Sequence, residues 1–97
     1  MKVDYDTEAN AIAITIEEVP DSELPASSDA VHERCTVAVV AGRPIDVEIL
    51  YPDLGIDEPL AAAAARYELD LEALSAAARS ALAAPDRVVT LDAAAPS

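Results

Sequence analysis

Apolar and polar residues alternate at the start of the chain. Val3 and Tyr5 are set among Lys2, Asp4 and Asp6, and further on Ile12, Ile14 and Ile16 are set among Ala11, Ala13, Thr15 and Glu17. A period of two puts one set of side chains on one face of an extended chain, so both runs predict half-buried strands with an apolar inner face. Asp6-Thr7-Glu8-Ala9-Asn10 between them brings Asp and Asn, which bond nearby backbone and tolerate turn conformations, and the pair reads as a hairpin. Residues 18–30, EVPDSELPASSDA, lose the alternation and read as a surface loop. It returns over residues 31–40, with Cys35, Val37 and Val39 on one face, and over residues 44–50, with Ile45, Val47 and Ile49 on one face. Gly42 between them can supply a positive φ. Asp46 and Glu48 then fall on the other side, as solvated groups of an open sheet face.

Beyond Tyr51-Pro52 the spacing lengthens to three and four. Leu60, Ala63, Ala64 and Tyr67 make the stripe of one helix, with Asp57 or Glu58 as its cap and Pro59 in its first turn. Leu71, Leu74, Ala78 and Leu82 make the stripe of a second, capped by Asp70 and stopped by Pro85. Residues 87–91, RVVTL, predict a short last strand, and residues 93–97 a disordered tail. The expected fold is a single α+β domain over residues 1–92. A small antiparallel sheet of about four strands lies in residues 1–51, a helical hairpin in residues 52–84 covers one face, and a short strand follows in residues 86–92.

Composition narrows what such a domain can do. The 97 residues support one core, and with no Phe or Trp and with alanine dominating the second half, each buried side chain contributes modestly. Six basic residues against nineteen acidic ones give a net charge of −13, which repels phosphate backbones and anionic lipid, so neither nucleic acid nor a membrane is an expected partner. The same field accelerates encounter with a basic protein surface. Cys35 is the only cysteine, which rules out an internal disulfide, and without a signal-like or membrane-length apolar segment the expected location is the cytoplasm.

Catalytic and metal chemistry find little support. Asp6, Glu8 and Glu48 are the carboxylates that neighbouring strands could bring together, but the spacing lacks the glycine-turned loop of a calcium site, and turn and surface roles account for them. His32 is the only histidine and would have to serve any triad or histidine metal site; three residues from Cys35 on one strand, it faces the opposite side. The second helix offers Glu72, Ser75, Arg79 and Ser80, a poor set for reading a major groove. No catalytic residue, metal ligand or cofactor is expected.

Met1 to Ile16, M-K-V-x-Y-D-x-E-A-N-A-I-x-I-x-I, is similar to the YD-x-E-A-D-A-L pattern of the bacterial family called domain of unknown function 2283. Gly42-Arg43-Pro44-Ile45-Asp46-Val47-Glu48-Ile49-Leu50 resembles that family's second motif, with Asp46 where a glycine is usual. The resemblance covers about half of the chain and leaves the helices as an appended segment. It implies a small sheet without an established activity, a motif surface formed by Tyr5, Asp6, Glu8, Asn10 and Glu48, and, because some members accompany small toxin-like proteins, an antitoxin-like role. The expected function is a non-catalytic interaction module with a basic protein partner; a structural homo-oligomer is the alternative and a small enzyme or metal binder a distant third. A homodimer is expected, with Val88, Val89, Thr90 and Leu91 as contacts, because a small sheet leaves edges to be paired.

Overall fold

The computed structural model describes residues 1–23 and 26–91. Lys2–Asp6 (β1) and Ala11–Thr15 (β2) form the hairpin that their alternation predicts, with Val3 opposite Ile14 and Tyr5 opposite Ile12. Asn10 closes the turn at φ 51°, a left-handed conformation that Asn accepts more readily than most residues. Cys35–Val40 (β4) and Arg43–Leu50 (β5) make a second hairpin through Ala41 and Gly42, both at positive φ.

The sheet has one strand more than the alternation suggests. Ser27–His32 is a separate strand, β3, which turns at Glu33 and Arg34 into β4. Residues 31–40 are therefore the end of one strand, a turn and a second strand, and residues 27–30 belong to the sheet rather than to a loop. A 3-10 turn, Asp21–Glu23, lies ahead of β3. Ser27–His32 escaped recognition because an edge strand can be polar: Asp29, opposite Val37, is held by Tyr67 Oη at 2.5 Å and lies 3.6 Å from Arg66 Nε.

After a 3-10 turn, Pro52–Leu54, the helices Asp57–Tyr67 (α1) and Leu71–Ala83 (α2) follow, and the chain returns as Val88–Thr90 (β6). All strand pairs are antiparallel, in the order β3-β4-β5-β2-β1-β6, and the fold is α+β. The helices share one face: α1 lies over β3, β4 and β5, and α2 over β1, β2 and β6. Their cover meets Val3, Ile12, Ile14, Cys35, Val37, Val47 and Ile49 in one core, with Tyr5 and Ile16 only half buried at its margin.

Both helices depart from expectation in detail. The N-cap of α1 is Ile56, without a side-chain bond, so Asp57 and Glu58 act within the first turn on the helix dipole instead of capping it. Asp70 caps α2 as expected, accepting from Ala73 N at 3.2 Å. The buried stripe of α2 is Leu74, Ala77, Ala78 and Ala81, while Leu71 and Leu82 remain 40% and 37% exposed. Small residues let the helix backbone approach the sheet, so Ala77, Ala78 and Ala81 join Leu74 on the contact line and Leu71 and Leu82 fall at its margin. The tail expected over residues 93–97 lies outside the described residues.

Candidate functional site

The sheet face turned away from the helices is defined by register. Across β1, β2 and β5 three rows run Lys2–Thr15–Asp46, Asp4–Ala13–Glu48 and Asp6–Ala11–Leu50. These nine positions carry four carboxylates and one cation, and Lys2 Nζ is held 2.5 Å from Glu18. The β2 side chains in the middle are all small, so Ala11 and Ala13 form the floor of a shallow trough. Its rims are the acids of β1 and β5, two strand spacings or about 10 Å apart. Thr36 and Ala38 of β4 extend the flat surface beyond β5, opposite Glu48 and Asp46.

Asp46 is the most perturbed group on this face. Partial burial pushes its carboxyl up to about 6; Thr15 Oγ1, donating over 3.3 Å, pulls the other way, while Glu48 and Asp4 add to the rise. Most of the cations are engaged elsewhere. Arg34 donates to the carbonyls of Leu50, Tyr51 and Gly55, Arg43 to Glu17 and Glu23, and Arg79 lies 3.9 Å from Asp57.

The five residues expected to share a motif surface do not form one site. Tyr5 Oη donates to Asn10 Oδ1 over 3.1 Å and Asn10 Nδ2 donates to Asp53 Oδ1 over 3.1 Å, which ties the end of the first hairpin to the 3-10 turn after β5. Asp6 Oδ1 accepts from the backbone of Glu8 and Ala9 and builds the turn itself, while Glu8 stands exposed. Glu48 lies on the open face, separated from β1 by β2, so its carboxylate shares a row with Asp4 rather than joining Asp6 and Glu8. Its neighbours on the face are Asp46, which the alternation already sets beside it, and Asp4, which the motif pattern passed over; the period-two placement of Asp4 against Val3 and Tyr5 was the available signal.

His32 and Cys35 stand opposite each other in the β3–β4 hairpin, because residues 31–40 contain a turn rather than one continuous strand. His32 Nδ1 accepts from Arg34 N at 3.1 Å, and Cys35 is buried, its thiol pushed up to about 11 by burial and by Glu48, so it stays protonated at neutral pH. Among the described residues no group of three or more His, Cys, Asp or Glu side chains is placed to hold a metal ion. No helix among them is long and apolar enough to cross a membrane.

Val88, Val89, Thr90 and Leu91 lie in and just after β6, the outermost strand beside β1. Val89 faces Val3 on the helix side, whereas Val88 is 67% exposed opposite Asp4 on the open side. Comparison with protein-family models, curated proteins and solved structures finds no match.

Proposed function

We propose that this protein is a non-catalytic interaction module whose open sheet face receives a basic protein surface. The observation that carries the reading is the trough floored by Ala11 and Ala13 and rimmed by Asp4, Asp6, Asp46 and Glu48. A strand array with small residues at its centre admits a partner's backbone, and the carboxylates on both rims are complementary to Lys or Arg. Asp46 adds a specific reason: a carboxyl pushed up to about 6, chiefly by burial and further by Glu48 and Asp4, gains from a cation brought beside it. The resemblance to domain of unknown function 2283 supports the narrower, antitoxin-like form, in which the acidic protein masks a small basic one in the cytoplasm. The test is kinetic. Captured from cell extract on the immobilised protein, the partner should be cationic, and its on-rate should fall steeply between about 0.02 M and about 0.3 M salt. An acidic partner, or an on-rate indifferent to salt, contradicts the reading.

A further inference from the structure

The two edges of the sheet are built differently. β3 carries a register shift between Ala30 and His32, and it points Asp29 inward to Tyr67 and Arg66. A bulge and an inward-pointing charge are devices that keep a strand edge from pairing with another chain. The opposite edge, β6, is Val-Val-Thr, without a charge, a proline or a register shift. Its hydrogen-bonding parity follows from its neighbour. Met1 N donates to Leu91 O over 3.1 Å and Leu91 N donates to Met1 O over 2.8 Å, so these two residues form a mutually bonded pair. Two positions back, Val3 and Val89 form the next such pair, and the N–H and C=O groups of Val88 and Thr90 point away from β1.

Directly beside that edge, on the open face, Asp4, Asp6, Asp86, Arg87 and Val88 line a shallow depression of about 230 Å³. Three carboxylates and one guanidinium leave it net negative. Asp86, at φ 61°, is fastened by the Thr7 backbone and hydroxyl, which hold the start of β6 against the first hairpin.

We infer that β6 is a docking edge for an extended, cationic segment of a partner protein, which adds as a seventh strand and reaches into this depression with Arg or Lys; the inference rests on the reading of the open face given above. The backbone groups of Val88 and Thr90 supply the pairing that β-strand addition uses. Charge supplies the choice of side chain. Asp4 lies two strand spacings, about 10 Å, from a residue of the incoming strand, a span that a long cationic side chain crosses over Val88 and a short one does not. A second copy of this chain fits less well. It brings a net charge of −13 against the same, and its own β6, Val-Val-Thr, has no cation to place in the depression.

The test uses the full chain and a blocked ten-residue peptide of alternating arginine and valine, followed by amide chemical shifts at low salt. Binding is expected to move the amides of Val88, Thr90 and Asp4 together. Thr90→Pro removes an outward N–H that β1 does not use and should weaken binding about tenfold; as a control independent of that variant's folding, N-methylating the peptide backbone at alternate residues should do the same to the unaltered protein. An alternating glutamate and valine peptide should not bind. Shifts confined to Ala13 and Glu48, with β6 unmoved, overturn the edge inference and leave the acidic-face reading standing, whereas no shift anywhere on the face overturns both. Equal binding of the glutamate peptide overturns the cationic segment. Shifts of Val88 and Thr90 that track protein concentration without peptide assign the edge to a second copy, and the inference falls.

Discussion

On the helix side of the sheet, Val3, Ile12, Ile14, Val37, Val47 and Ile49 are each at most 1% exposed; on the other side the same strands present Asp4, Ala13, Thr36 and Glu48. The strands are shared, so the difference lies in what each face meets. Helices of 11 and 13 residues cover one side of six strands and no more, and they do so with alanines that bring their backbones close to the isoleucines and valines. The uncovered side presents carboxylates around small residues. Stability belongs to the first face and charge complementarity to the second, which makes the two separable by substitution.

The largest separation is expected at Ile14. Truncation to Ala on the covered face should cost about 2 to 5 kcal/mol, read as a drop in denaturant midpoint at unchanged m-value, because it opens a cavity in the fully buried core beneath α2. Ala78→Leu tests the same packing from the helix side. Its site is fully buried, and overpacking should cost about 1 to 3 kcal/mol; a neutral result would mean that the helix stands off the sheet.

Asp46→Asn should act in the opposite direction, and only in part of the pH range. The folded carboxyl titrates at about 6 instead of its ordinary 3.8, so between these values the folded state keeps a proton that the unfolded state has lost. Stability therefore falls as pH rises through that window, and the wild-type side chain is unfavourable above about 6. Asparagine keeps the acceptor for Thr15 without the charge. After allowance for the screening of a half-exposed group, the variant should be about 1 kcal/mol more stable at pH 8 and no more stable near pH 4, measured by thermal melts across pH. A gain that persists at pH 4 would show that the effect is not titration.

The smallest effect sharpens the comparison most. Asp4→Asn, on the bare face, should change stability by no more than about 0.5 kcal/mol while it reduces the salt dependence of binding to a basic partner. If it unfolds the protein as Ile14→Ala does, the two faces are not separable and the assignment of roles fails.

Legibility in the sequence follows the range of the interactions. The first hairpin could be read because both strands alternate and the turn between them carries Asp6 and Asn10, each of which makes its turn contacts within a few residues. The β3–β4 hairpin could not. Its turn is Glu33-Arg34, without glycine, proline or asparagine, and the charge of its first strand, Asp29, is matched by Tyr67 and Arg66, which lie more than thirty residues along the chain. In α2 the spacing identified Leu74 and Ala78 of the buried stripe, but the backbone's approach to the sheet put Ala77 and Ala81 there in place of Leu71 and Leu82. Half of the bare face was legible, since Asp46 and Glu48 alternate against Ile45, Val47 and Ile49; that they stand across β2 from Asp4 was not.

Local alternation, turn chemistry and helix spacing therefore determined the α+β class, the apolar side of β1, β2 and β5 and the surplus of acid. Tertiary structure alone decided that β2 lies between β1 and β5, that the acids form two rims around Ala11 and Ala13, and that β6 becomes an edge bare of charge. The physical reason is that the period-two direction of a side chain is set within its own strand, whereas strand order is set by pairings such as Ile12 with Ile49 and Val3 with Val89, which join distant parts of the chain and leave no periodic trace in it.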